Sequence, residues 1–390
     1  MPARVGHARV QGYDRGMSRP NLFGMSEGAL GALVAERGEP AFRARQIYAW
    51  LYHRRVREVD AMVNLPKPLR SALAEGFELR WPEVAERALS FDGTRKYLFR
   101  LDDLPPGAGP HVRGGGATIE SVYIPEDDRR TICISTQAGC PLKCAFCLTG
   151  IAGYQRNLRA WEILGQVATV MEEHPVSATH PQRRGEDPFP WNIVVMGMGE
   201  PLLNYEATVE ALRILMDERG FGVPPRKLTL STVGILPALE KLAKEPVRPN
   251  LAISLHAPDP GLRRALMPIE EKYPFDRVVE AALRYPIPRG GLVTFEYVLL
   301  GGVNDGVAHA RALARRLGGK RVKVNLIPLN PAPEIPFKAP TPEAVDAFGQ
   351  ALAAAGVTVS VRRPRGRDIL AACGQLHLKK GAPAPAPAHP

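Results

Sequence analysis

Cysteine is scarce: there are five in 390 residues. An odd number of thiols argues against a closed disulfide framework and for a reducing, cytoplasmic setting. Long apolar runs are missing. No stretch reaches the ~20 residues that a membrane helix needs, and the first residues lack the apolar core of a secretory leader. No membrane partner is expected. Acidic residues are in deficit, 40 against 51 Lys and Arg, which leaves a net charge of +11. That excess suits an anionic partner, nucleic acid first, although charge alone locates no binding face. What is abundant is apolar: 45% of the residues are hydrophobic, ample for a large core and two domains.

Residues 1–20 are Arg- and Gly-rich without periodicity and are expected to be disordered. Residues 21–80 read as a small helical, RNA-binding accessory module. Ser26 offers an N-cap ahead of Leu30, Leu33 and Val34, and further helices are expected near 41–53 and 67–77. Arg43, Arg45, Arg54, Arg55 and Arg57 make it basic, which fits RNA contact or a solvated helix face equally. Residues 81–130 form a β-extension, with strands expected at 84–91, 96–101 and 119–124 around a Pro/Gly-rich loop at 105–116. From 131 to 376, strands expected at 131–136, 192–197, 227–231, 250–255, 292–299 and 322–327 alternate with helices near 160–173, 205–218, 236–244, 276–285, 307–317 and 342–355. Six such units predict an α/β fold, a partial (β/α)6 TIM-like barrel. Residues 174–190 read as a surface loop. A last strand at 358–362 leads into the basic run Arg362–Arg367, and residues 377–390 form a basic, then Ala/Pro-rich tail.

Cys140, Cys144 and Cys147 lie in a loop after the first of these strands. Iron–sulfur clusters are held by thiolates, normally four. Three, with no fourth nearby, leave one iron open, as in a catalytic metal site. A structural zinc would want four closed ligands, and no second pair at that spacing follows. Other polar residues fall at the carboxyl ends of the strands, where barrels place their chemistry. These are Gly197-Met-Gly199-Glu200-Pro201, Ser231, Ser254-Leu255-His256, and Asn325 and Asn330. The glycines permit close backbone approach to a ligand, and Glu200 can accept a hydrogen bond from an ammonium group. His256 alone would more often be a satisfied core histidine. The two remaining cysteines are Cys133, seven residues before the cluster loop, and Cys373, far along the chain beyond a basic run. Buried inert thiols are their ordinary fate; a small-residue setting leaves Cys373 the option of reactivity.

Taken together, these residues resemble the RlmN/Cfr family of radical S-adenosylmethionine (SAM) enzymes over about residues 21–380. The motifs that carry the resemblance are Ile119–Asp128, the cysteine triplet with Phe146, Gly197–Pro201, Asn325–Asn330 and Ala371–Leu376. The resemblance implies a [4Fe–4S] cluster on Cys140, Cys144 and Cys147. It implies a SAM site lined by Gly199, Glu200, Ser231, Ser254, Leu255, His256 and Asn330. It implies that Cys373 carries a methyl group during turnover, while Cys133 and Glu120 serve resolution of the intermediate and proton transfer. The activity implied is methylation of carbon 2 of an adenosine in 23S rRNA, and of adenosine 37 in tRNA, by a monomer using two SAM per turnover. An external electron donor is implied, and a thiol reductant must reopen a disulfide formed between Cys133 and Cys373. Carbon 2 of adenine is electron-poor and cannot attack a methyl sulfonium, so a radical route has a chemical reason. A Cfr-type enzyme acting at carbon 8 would use the same residues; Pro201 and the N-terminal module favour carbon 2. A non-enzymatic cluster protein that binds RNA and senses iron or oxidants would need neither Glu120 nor Cys373.

Overall fold

The computed structural model describes residues 19–101, 117–126, 129–175, 189–287 and 291–376. The expected disordered N-terminus up to residue 18, the 105–116 loop, residues 176–188 of the 174–190 loop and the 377–390 tail lie outside them. The chain divides into two compact units, Met1–Trp81 and Pro82–Pro390.

In the first unit, α1 (Glu27–Ala35) begins where Ser26 Oγ accepts the Ala29 amide at 3.3 Å. This side-chain acceptor meets one of the amides that a helix start leaves unpaired. α2 (Phe42–Tyr48) passes into a wider π-helical turn at Ala49–His53, and α3 (Lys67–Gly76) starts on a proline bend. The single helix expected at 41–53 is thus split by a change of pitch. The core of this unit is aromatic. Phe23 packs on Tyr52 and on Trp81 at 5.5 and 5.4 Å between ring centroids. The Tyr52 hydroxyl donates to Met25 O at 2.7 Å, so its one polar atom is satisfied.

The second unit is built on one ten-stranded sheet in the order β1-β2-β3-β4-β7-β8-β9-β10-β11-β12. β1 (Glu83–Leu89), β2 (Arg95–Arg100), β3 (Thr118–Pro125) and β4 (Arg130–Cys133) pair antiparallel. β7 (Trp191–Val195), β8 (Leu228–Thr232), β9 (Asn250–Ser254), β10 (Val293–Leu299), β11 (Val322–Pro328) and β12 (Thr358–Val361) continue from β4 in parallel. The intervening chain supplies α5 (Ala160–Glu173), α6 (Tyr205–Met216), α7 (Leu236–Leu242), α8 (Pro260–Leu266), α9 (Phe275–Arg284), α10 (Val307–Leu317) and α11 (Pro342–Ala354). The fold is an open, parallel barrel with helices outside and an antiparallel extension at one edge, as the alternation predicts. Its inner face is polar: Asn192, Thr229, Glu296, Lys323, Asn325 and Ser360 border one cavity of about 850 Å³.

One strand is shorter than expected, and the difference shapes the site. β4 stops at Cys133, not at Thr136. Gln166, fully buried on α5, donates from Nε2 to Ser135 O at 2.9 Å and accepts the Ser135 amide at 2.8 Å. A side-chain amide thus takes the place of a neighbouring strand at Ser135. The chain then makes a separate hairpin of β5 (Gln137–Gly139) and β6 (Tyr154–Asn157). Gly139 is required there. Its φ is +78°, and a Cβ would stand 1.9 Å from Gly153 O.

Candidate active site

The cysteine loop bridges β5 and β6 and is closed by the Cys140 amide donating to Gly153 O at 2.8 Å. Within it Lys143 adopts a left-handed φ of +54°, and the Cys147 amide donates to Cys144 O at 3.2 Å. Cys147 caps the short helix α4 (Leu148–Ile151). Burial pushes all three thiols up, Cys140 to about 12 and Cys144 well above the usual range; mutual repulsion adds to this for each of these two. Burial also raises Cys147, against amides of Gly150 and Thr149 directed at its sulfur. Three thiolates gathered here therefore need a positive centre. Among the described residues no group of three His, Cys, Asp or Glu converges tightly enough for a single metal ion.

The strand-end residues form the wall beside this loop. Gly197 leaves no room for a side chain: a Cβ would lie 2.6 Å from Ser135 Oγ. Gly199 has φ +99°, and its Cβ would lie 2.5 Å from Gln137 Cβ. Both glycines let the loop after β7 press against the chain leaving β4. The Glu200 amide donates to Gln137 Oε1 at 2.8 Å. Its buried carboxylate accepts from the Leu202 amide at 3.0 Å, Thr232 Oγ1 at 2.6 Å and the Val233 amide at 2.9 Å. Burial drives its pKa up to about 7, against those bonds. Ser231 and Ser254 are half-buried near the carboxyl ends of β8 and β9. Leu255 is buried, and its carbonyl accepts from Arg263 Nε at 3.1 Å. Arg263 itself is fully buried and ion-paired to Glu270.

His256 sits at φ +61°, a conformation rare outside glycine. Its Nδ1 accepts the Val298 amide at 3.0 Å, which leaves the proton on Nε2. Burial, helped by the Arg263 charge, lowers its pKa to about 3, so the ring is neutral. Asn304 holds the strained turn, donating to His256 O at 2.8 Å and to Val298 O at 2.7 Å. Asn330 is buried, and its Oδ1 has no hydrogen-bond partner among the described residues. An orphaned acceptor of this kind costs about 1–3 kcal/mol. It fits a ligand that brings donors, as the ammonium and ribose hydroxyls of SAM do. Asn325 is occupied elsewhere, donating to Glu296 Oε2 at 2.8 Å and accepting Ser360 Oγ at 3.0 Å within the barrel.

A cavity of about 130 Å³ brings the two isolated cysteines together: Cys133 and Cys373 line it with Cys147, Met196, Asn330 and Arg362. All five cysteines are free thiols. Burial raises Cys133 to about 12, and the neighbouring Cys373 adds to it. The Cys373 sulfur, with Glu296, Cys133 and Glu126, holds the half-buried Arg362 guanidinium above its usual range. Arg362 donates to Met196 Sδ at 3.6 Å. Glu120 does not line this cavity. It lies on β3, buried, in an ion pair with Lys96 Nζ at 2.8 Å, and Lys96 donates to Leu370 O at 3.4 Å. Sequence reasoning missed Gln166, Arg263 and Asn304. A polar residue in an otherwise apolar helix stretch was the available signal for Gln166; the other two offered none.

Residues 20–79 match the ribosomal RNA large subunit methyltransferase N-terminal domain, and residues 134–314 match the Radical SAM superfamily. A probable dual-specificity RNA methyltransferase RlmN of Gemmatimonas aurantiaca is 46% identical over 351 residues, covering 90% of each chain. The chain belongs to the RlmN family. A dual-specificity RNA methyltransferase RlmN of Syntrophus aciditrophicus is 44% identical over 93% of this chain and 98% of its own. The crystal structure of a radical SAM methyltransferase from Sphaerobacter thermophilus superposes with a TM-score of 0.80 at 42% identity, over 92% of this chain and 99% of that one. RlmN membership makes the chain a radical SAM dual-specificity RNA methyltransferase and implies a [4Fe–4S] cluster and SAM. Among the described residues no helix is long and apolar enough to cross a membrane.

Proposed function

We propose that this enzyme methylates carbon 2 of an adenosine in 23S rRNA, and of adenosine 37 in tRNA, through a methyl group carried on Cys373. The observation that supports this reading is the shared cavity of Cys133, Cys147, Cys373 and Asn330. Two thiols and the end of the cluster loop thus line one cavity, which supports a reading in which all three meet a single substrate base. Cys140, Cys144 and Cys147 would hold the cluster, and Gly199, Glu200, Ser231, Ser254, Leu255, His256 and Asn330 would hold SAM, which together would supply the one-electron chemistry needed to remove a hydrogen atom from a methyl group. Cys373 takes its methyl from a first SAM by displacement, so two SAM are consumed per turnover. Arg362 lines the same cavity as Cys373. The carbon on Cys373 bonds to carbon 2, and the ring then loses one electron, offsetting the one that the external donor supplies, and its proton, a transfer that Glu120 serves. Cys133 attacks the Cys373 sulfur, and the released carbon takes up a proton to become the methyl group. The disulfide so formed is reopened by an external thiol reductant, and an external donor supplies electrons. The N-terminal unit serves as an accessory RNA-binding module: Arg54 lies over Trp50 at 4.4 Å and Arg43 over Phe42 at 4.7 Å, surfaces on which unpaired bases stack. The enzyme works in the cytoplasm as a monomer.

Mass mapping of rRNA and tRNA from cells with and without the gene tests this. A methyl on carbon 2 that disappears with the gene is expected. A methyl on carbon 8, or unchanged RNA, overturns it.

A further inference from the structure

The β1–β2 hairpin ends in Leu89-Ser90-Phe91-Asp92-Gly93, and two of these side chains are out of place for a soluble surface. Phe91 is 87% exposed and Leu89 62%. A lone exposed apolar residue is ordinary. Here two lie together at one tip, and the tip is fastened to the catalytic segment. Ser90 Oγ donates to Asp368 Oδ1 at 2.5 Å, the Phe91 amide to Asp368 Oδ2 at 3.4 Å, and the Gly366 amide to Asp92 Oδ2 at 3.0 Å. Asp368 is five residues before Cys373 in the chain. The Phe91 backbone is thus fixed beside the segment that carries the cysteine, while its ring is left in solvent. The same segment carries Arg363 and Arg367, both exposed, so the surroundings attract an anionic chain.

We infer that Phe91 is a stacking contact for an unpaired base of the substrate RNA, next to the target adenosine. This rests on the RNA substrate proposed above and adds to it a specific contact. An adenosine inside a stack is out of reach, so the nucleotide must be drawn out, which leaves its neighbour with one face bare. An exposed aromatic ring beside a cationic stretch covers such a face and tolerates any base.

The test is a cycle of binding measurements on the reconstituted enzyme without reductant, by fluorescence anisotropy. The probes are a labelled RNA hairpin carrying the target adenosine and a set in which each flanking nucleotide in turn is abasic. Phe91→Ala is expected to weaken binding of the intact hairpin about ten-fold, the loss of one stacked base. Phe91→Trp is expected to restore it. One abasic hairpin is expected to bind the wild type as weakly as Phe91→Ala binds the intact hairpin, with no further loss when both changes are combined. Heparin, which offers charge without bases, is expected to bind both proteins equally. Unchanged hairpin affinity in Phe91→Ala, or strictly additive losses at every abasic position, overturns the inference. So does a loss of methyl from Cys373 by intact mass in Phe91→Ala, because the tip would then be a strap for the segment and not an RNA contact. If the wild type turns out to methylate another atom, the activity proposed above fails while the cycle still reads Phe91.

Discussion

Cys133 and Cys373 face one cavity but are held there by different means. Cys133 is inside the sheet. Its strand β4 pairs with Val122 on one side and Val194 on the other, so its backbone is fixed by ladders on both edges. Cys373 lies beyond β12 in a segment with no strand neighbours, whose Gly366 and Leu370 are both left-handed. Individual links hold it: Gly366 to Asp92, Asp368 to Ser90, Leu370 to Lys96, the Leu148 amide to Gly374 O at 2.8 Å and Thr149 Oγ1 to Leu376 O at 2.8 Å. A frame and a pinned segment thus meet at one site. The frame resists single substitutions, whereas each pin can be drawn by one. On the role proposed for Cys373, a thiol that accepts a methyl group, extends toward RNA and is then released is better served by the pinned arrangement.

The largest expected effects come from removing the thiols themselves. Cys140→Ala is expected to lose the cluster's visible absorbance and all methylation, because two thiolates do not hold a cubane with one open iron; four irons per chain in that variant would rule out the ligand set. Cys373→Ala is expected to keep cluster and SAM but give no methylated RNA and no adduct. Cys133→Ala is expected to go further and stall, leaving RNA joined to Cys373 as a slow, nuclease-sensitive band on a denaturing gel. Methylation at the normal rate by Cys133→Ala would break the comparison, since the two thiols would then not be partners.

Next in size is the wall between frame and segment. Gly199→Ala places a Cβ against Gln137 in a conformation that costs an L-residue about 1–3 kcal/mol. Relief must displace Gln137, whose Oε1 holds the Glu200 amide. SAM affinity by equilibrium dialysis is expected to fall more than ten-fold, an effect of about 1.4 kcal/mol or more. Unchanged SAM binding would show that Glu200 is placed independently of the glycine.

Much of the frame could be read in the sequence, because parallel strands and amphipathic helices each carry a period. The helix at 160–173 and the one at 307–317 fall where the pattern puts them. The cysteine triplet and the strand-end glycines were visible because cluster ligation and close approach each need particular residues. What stayed hidden depends on side chains that replace backbone. Gln166, polar in an otherwise apolar helix stretch, hints at a buried role, but its amide standing in for a strand and ending β4 early is not readable from it. Asn304 looks like a loop residue, yet it secures the His256 turn from 48 positions away. The Arg362–Arg367 run reads as one basic stripe, but Arg362, Arg363 and Arg365 border the cysteine cavity while Arg367, outside that lining, is exposed. Periodicity cannot tell these apart.

The smallest expected effect is the most direct probe of the pins. Asp92 Oδ1 accepts the Thr94 amide at 2.9 Å and Oδ2 the Gly366 amide at 3.0 Å. Burial alone would raise this carboxyl, but the Gly366 and Thr94 bonds outweigh it and hold it at about 2. A depressed carboxyl contributes stability above its unfolded value, near 4, and loses it as pH falls through about 2. The pin is therefore fully formed at any working pH. Asp92→Asn keeps one acceptor oxygen and is expected to cost about 1 kcal/mol, a Tm shift of a few degrees at most. That difference is expected to stay flat from pH 8 to 5 and to shrink only below about pH 4, as the wild-type carboxyl is protonated. Hydrogen exchange read peptide by peptide supplies the contrast. Residues 363–376 are expected to exchange faster in the variant, while 131–136, inside the sheet around Cys133, keep wild-type protection. Equal acceleration of both would mean that the segment and the frame open as one unit.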